Sequence, residues 1–352
     1  MKFETLFPTI NTITAKGVIR KHVSDFRVIE HNDICFTESG EHLWLKIQKT
    51  DCNTAWVATQ IASACKVPAR QVGFAGLKDR HAITEQWFSV QLPKIKDLPS
   101  IEQNLPKQTK VLENHWHQHK LKTGTLKFNE FKIIIRDLKG DLAQLKNNIV
   151  TVTEQGAPNY FGPQRFGHEM NNINQCQDWF SGKIKVNNKN LRGLLISTAR
   201  SHIFNLITAK RINDGIWNQV IEGDILQLDR SHSWFPSSEA SPAELKQRLN
   251  DFDIHITAAL WGEDEVQSSS YSADLENSVA TSMPIYQQGL REHRVKQSRR
   301  AMRMIPIDLK HSVNDNSELN IEFKLLPGMY ATSLLREILH VDDVQNHLQQ
   351  QN

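Results

Sequence analysis

PNYFGPQRFG, residues 158–167, divides the chain. Before it, apolar and polar residues alternate in short runs, the period of β-strands; after it, helical spacing takes over. The stretch itself gathers Tyr160, Phe161, Phe166, Gly162, Gly167 and Arg165. Such a set admits two readings: rings that stack on bases with an arginine on phosphate, or a buried junction between domains. The change of texture at Pro158 favours the junction.

Upstream, GVIRKHVSDFRVIEH and HLWLKIQK within 17–49 read as strands with a turn near Glu38–Glu41. Asp51-Cys52-Asn53-Thr54 caps an amphipathic helix, AWVATQIASAC. ITEQWFSVQL (83–92) and KFNEFKIIIRDL (127–138) read as strands, and the helix DLAQLKNNIVTVTEQG ends at Gly156. Downstream, STARSHIFNLITAKRIN (197–213) reads as a helix, and Ser241-Pro242-Ala243-Glu244 opens another with a capping box and proline at its first position. QSSSYSADLENS (267–278) reads as a surface loop and 287–304 as a basic helix. A strand returns at LNIEFKLL (319–326), then a glycine turn and the helix TSLLREILH. Strands at both ends with a helical block between describe an α+β sheet domain interrupted by an insertion. A chain of 352 residues has room for both.

Composition narrows the class. Hydrophobic residues make up 39% and charged residues 23%, as in ordinary globular proteins. No stretch approaches the ~20 apolar residues of a membrane span. MKFETLFPTI carries an early Glu4 and no apolar core of a signal peptide, so the cytoplasm is the expected location. Cys35, Cys52, Cys65 and Cys176 form no C-x-x-C pair, which argues against a zinc ribbon or a disulfide scaffold. The absence of G-x-S-x-G, H-E-x-x-H and G-x-G-x-x-G weighs against hydrolase and redox chemistry.

Net charge is only +3, but basic residues cluster. REHRVKQSRRAMR (291–303) and HWHQHKLKTGTLKFNEFKIIIR (115–136) read either as solvated faces or as phosphate-binding surface. On the second reading Lys120, Lys122, Arg294, Arg299 and Arg300 are candidate RNA contacts. His115, His117 and His119 alternate and share one face of a strand. No carboxylate or cysteine nearby completes a metal shell, and Lys120 and Lys122 surround them with positive charge, so no metal is expected.

GFAGLKDRHAITEQW (73–87) sets Lys78-Asp79 behind two glycines and ahead of a strand. It lacks the G-x-x-x-x-G-K-[ST] order of a phosphate loop. It reads as a solvated turn or as a loop presenting one carboxylate. Gly73 and Gly76 permit close approach by a ligand, and the strand beyond places Asp79 on a rigid edge.

In order, GVIRKHVSDFRVIE (17–30), DCNTAWVA (51–58), GFAGLKDRHAITEQW, GTLKFNEF (124–131), PNYFGPQRFG, STARSHIFN (197–205), RRAMRM (299–304) and PGMYATSLLREI (327–338) resemble the TruD family of tRNA pseudouridine synthases over nearly the whole chain. The resemblance implies a pseudouridine synthase catalytic domain with a mixed sheet, formed by 1–154 and 305–352, and an inserted domain at 155–304. It implies conversion of uridine 13 of tRNA to pseudouridine without cofactor or metal, with tRNA as partner, no membrane, and no obligate protein partner. Asp79 matches the catalytic aspartate and Arg20 its basic partner. Phe26 matches the aromatic beside the target base, and Asn129 a polar group of the substrate site, with Phe131 in the same motif. Tyr330 stands where the family usually has phenylalanine, which leaves its hydroxyl in need of a partner. Two rivals remain: a non-catalytic RNA-binding protein or chaperone, and a metal-dependent hydrolase using the histidine strand. The first leaves unexplained a carboxylate that repels phosphate within a polyanion site.

Overall fold

Alternation in the strands flanking the insertion builds a mixed sheet. A computed structural model describes residues 3–92, 101–122 and 124–344. They form two compact units. One comprises Thr14–Leu145, Pro306–Gly328 and Leu339–Asn352; the other comprises Met1–Ile13, Lys146–Ile305 and Met329–Ile338. Segments from both ends of the chain, 3–13 and 329–338, group with the helical block.

The strands of the sheet unit are β1 (Ala15–Ile19), β2 (Phe26–His31), β3 (His42–Thr50), β4 (Val72–Phe74), β5 (Ile83–Gln91), β6 (Thr109–His117), β7 (Phe128–Gly140), β8 (Ile307–Val313), β9 (Leu319–Leu325) and β10 (His340–Asp343). Their order is β8-β9-β7-β2-β5-β3-β6, with β4 on β5, and β1 on both β7 and β10. β2 runs parallel to β5 and β1 to β10; the other pairs are antiparallel. The helix Thr54–Ala64 buries Val57, Ala58, Ile61 and Ala62 against Leu43, Leu45, Ile47, Phe88 and Val90. Asn53 caps it by accepting from the Ala55 N–H.

Register decides what shares that inner face. Lys49 pairs with Thr84, Thr84 with Val28, and Val28 with Phe131; Ile47 pairs with Gln86, and Glu30 with Asn129. Side chains of paired residues lie on the same side of a sheet. A polar belt of Lys49, Thr84, Gln86, Glu30 and Asn129 therefore crosses an otherwise apolar face. Lys49, Thr84 and Gln86 are fully buried, and Glu30 nearly so. Groups buried this way must find partners or cost stability.

The second unit is built on a 25-residue helix, Lys189–Asn213, which buries Leu195, Ala199, Ile203, Phe204 and Ile207. A four-stranded sheet runs Trp234–Pro236, Ile225–Leu228, Ile254–Leu260, Ser298–Ala301. PNYFGPQRFG lies within this unit: Tyr160 and Phe166 are fully buried and pack with Phe3 and Phe7 of the first residues.

Two expectations are corrected here. Residues 267–278 are not all loop, because Ser270–Thr281 is a helix. Its buried set, Ser272, Leu275, Glu276, Val279 and Ala280, follows helical spacing, but two members are polar and hide the apolar stripe. The basic segment is not one helix. A helix Pro284–Glu292 ends, and Ser298–Ala301 is a strand on Ile254–Leu260. Ladder pairing overrides the helix preference of its arginines.

Glu337 is fully buried among these end segments. Its carboxylate accepts from the Ile10 N–H at 2.9 Å, and its carbonyl accepts from Asn11 Nδ2. Burial raises its carboxyl from 4.5 to about 7. The folded protein therefore keeps a proton that the unfolded chain releases. This stabilisation is full below about 4.5 and lost as pH rises through about 7. Glu337→Gln keeps an acceptor and cannot ionise. It should match wild type near pH 4 and exceed it by up to about 3 kcal/mol near pH 8. Denaturation midpoints at the two pH values check this; an equal difference at both would refute it.

Candidate active site

Asp79 sits between β4 and β5, on a loop fastened from below by the polar belt. Lys49 Nζ donates to the Asp79 carbonyl at 2.8 Å and to the Cys52 carbonyl at 2.7 Å. Burial pulls this ammonium down to about 8, with the Asp79 carboxylate opposing the shift. Gln86 Nε2 donates to the Gly76 carbonyl and accepts at Oε1 from Thr54, whose hydroxyl accepts from the Lys78 N–H at 3.1 Å. Lys78 turns its side chain inward to Glu30, 2.8 Å away, with 6% and 1% of the two side chains exposed.

The Asp79 side chain is 39% exposed, and Arg20 Nη2 lies 3.4 Å from its Oδ1. Arg20 is itself confined. Its guanidinium covers the Phe26 ring at 4.0 Å and pairs with Asp343. Its backbone has φ of 57°, a left-handed value that costs energy for a residue with a side chain. No hydrogen bond from the described residues reaches Asp79 Oδ2. The arrangement is a carboxylate with a fixed cation at one oxygen and the other oxygen open, a geometry able to attack an electrophile or take a proton.

The remaining candidates fall into distinct surroundings. Phe26 is 1% exposed and serves as the floor under Arg20 rather than as an open stacking surface. Phe131 is a core ring, stacked on Phe323 at 5.4 Å. Asn129 Oδ1 is buried with no hydrogen-bond partner among the described residues. Tyr330 belongs to the other compact unit, where Arg165 donates to its hydroxyl at 2.9 Å; that supplies the partner the tyrosine needed.

Among the basic candidates, Lys122 and Arg294 are exposed. Lys120 donates to the Arg70 carbonyl at 2.7 Å. Arg299 is not a surface cation. Its side chain is 2% exposed, with Nη2 2.7 Å from Glu276 and Nε 2.7 Å from the Thr257 hydroxyl, so its donors are committed inside the fold. Arg300 also turns inward, over the Phe161 ring at 4.2 Å and onto Asn159 Oδ1. The histidine strand packs on aromatics: His115 stacks on Phe36 at 4.3 Å and bonds Glu38, while His117 meets Trp44 edge-on. Among the described residues, no group of three or more His, Cys, Asp or Glu is arranged to hold a metal, and no helix is long and apolar enough to cross a membrane.

Sequence reasoning missed Lys49, Glu30, Gln86 and Asp343. Lys49 had a visible signal, because it continues the inward phase of Leu43, Leu45 and Ile47. Glu30 does the same after Phe26 and Val28. Asp343 had none.

The family model for tRNA pseudouridine synthase D (TruD) matches residues 6–175 and 170–338. A tRNA pseudouridine synthase D of Hydrogenovibrio crunogenus is 38% identical over 327 residues, 92% of this chain and 93% of that protein. One from Nitrosococcus oceani is 37% identical, covering 94% of this chain and 92% of its own length. A Methanosarcina mazei crystal structure assigned to tRNA pseudouridine synthase D superposes with a TM-score of 0.70 at 21% identity, covering 96% of this chain and 98% of that one; this likeness shows the shared fold. With its mixed sheet, its second unit and its matches along nearly the whole length, the chain belongs to the tRNA pseudouridine synthase D (TruD) family.

Proposed function

We propose that this protein converts uridine to pseudouridine in tRNA, at uridine 13, with Asp79 as nucleophile or base on a uridine flipped out of its stack. Family membership supports the reaction. The observation that carries the site is the half-exposed Asp79 carboxylate held beside Arg20 on an anchored loop. The isomerisation breaks the bond from uracil N1 to C1′, turns the ring, and joins C5 to C1′; the C5 proton leaves to solvent and N1 takes one up, so no atom is gained or lost. Asp79 attacks C1′, takes a proton from C2′ to form a glycal, or attacks C6. Each route needs a carboxylate against an extruded nucleotide, since those atoms are shielded in a stacked strand. Asn129 Oδ1, without a hydrogen-bond partner among the described residues, is suited to accept an N–H from the uracil edge.

The sheet unit is read as the catalytic domain and the helical unit as the family's inserted domain. Exposed Lys122 and Arg294 are read as phosphate contacts. Arg299 and Arg300 are not, since their guanidinium groups are committed within the fold. tRNA as substrate implies work in the cytoplasm.

The test is residue-level mapping of pseudouridine in unmodified tRNA transcripts incubated with purified protein. One new pseudouridine at position 13 is expected. Tight binding without any pseudouridine would instead make this an RNA-binding protein and overturn the proposal.

A further inference from the structure

We propose that Leu77 is a wedge that enters the RNA stack and holds open the gap left by the extruded uridine. The inference rests on the reading above, in which Asp79 meets a flipped nucleotide.

Leu77 is 73% exposed, more than any other large hydrophobic side chain among the described residues. A lone exposed leucine is ordinary on a protein surface. What sets this one apart is its setting. The backbone on both sides of it is tied inward: the Gly76 carbonyl to Gln86, the Lys78 N–H to Thr54, and the Asp79 carbonyl to Lys49. The neighbouring Lys78 side chain is buried against Glu30. A Cβ placed on Gly76 would meet no atom within 4 Å, so the tip stands in open space. A loop anchored at successive positions thus holds one apolar side chain outward.

Two residues span at most about 7 Å. A sugar held at Asp79 therefore leaves its vacated stack within reach of Leu77. An extruded base leaves two unstacked neighbours, and a rigid apolar side chain between them offsets part of that loss; leucine is among the residue types that act as such wedges. Having no polar atom in its side chain, Leu77 reads no base edge and holds no phosphate. It should act on extrusion, leaving the salt dependence of binding unchanged.

The experiment uses full-length protein and a tRNA transcript with 2-aminopurine replacing the base beside the target uridine. Chemistry is blocked with Asp79→Asn, so fluorescence reports unstacking alone. Binding of the Asp79→Asn protein should raise fluorescence. Adding Leu77→Ala should remove most of that rise while the Kd stays within about twofold. In otherwise wild-type protein, Leu77→Ala should lower kcat about 10- to 100-fold with little change in KM, and Leu77→Met should restore it. Leu77 contributes little to packing, so thermal unfolding should be unchanged. A full fluorescence rise and wild-type kcat for Leu77→Ala, beside active wild type, would overturn the wedge alone. A wild-type protein that makes no pseudouridine would overturn the reaction and the wedge with it.

Discussion

Asp79→Asn protein is expected to bind tRNA at least as tightly as wild type and to form no detectable pseudouridine. The change is nearly isosteric. The main-chain link from the Asp79 carbonyl to Lys49 survives it, as do the contacts of Arg20 with Phe26 and Asp343. The fold and the loop should persist. Binding should hold or tighten slightly, because a negative charge leaves a polyanion site. The amide is neither nucleophile nor base, so the rate should fall by at least about 10⁴-fold, the scale seen when a catalytic side chain is removed from an otherwise intact site. Single-turnover assays with saturating enzyme separate this from weak binding. Turnover within tenfold of wild type would remove Asp79 from the chemistry altogether.

Much of the sheet unit was legible because its strands alternate cleanly. FNEFKIIIRDL and LNIEFKLL announce half-buried strands, and their register follows from which phase is apolar. The helical block was less legible where burial is polar. Ser270–Thr281 packs through Ser272 and Glu276, and Glu276 is satisfied by Arg299 from a strand distant in sequence. Neither local pattern shows that pairing. The same pair explains two misreadings at once: the loop that is a helix, and the surface arginine that is interior.

In the candidate site, Asp79 stood out through its glycine turn, and its pairing with Arg20 was expected from resemblance. The apparatus beneath was hidden for a physical reason. Lys49, Gln86 and Glu30 occupy inward positions where a hydrophobic residue is the default, and only register reveals that they converge under one loop. A charged residue in the apolar phase of a strand is a signal worth reading: it must be paired, and the partner here is the loop that carries the carboxylate.

Lys78→Met should be among the most destabilising single substitutions in the sheet unit. The Lys78 side chain is exposed by 6% and that of Glu30 by 1%, so removing the cation strands a carboxylate in the interior. Breaking a buried pair by one partner costs about 3–5 kcal/mol, far more than the pair itself contributes. The double variant Glu30→Leu/Lys78→Met replaces both ions with apolar groups of similar volume and should recover most of that loss. Activity should not follow stability. Lys78 is bonded to Asp79 through the main chain, and its inward pull helps fix where that carboxylate lies; a shift of about 1 Å at a reacting group can cost about 100-fold in rate. Denaturation midpoints and kcat measured on both variants test the two halves separately. A Lys78→Met protein within about 1 kcal/mol of wild type would mean that Glu30 has another means of satisfying its charge. A double variant with wild-type kcat would mean that the loop is held by Lys49, Gln86 and Thr54 alone, and that the ion pair serves only to fill the interior.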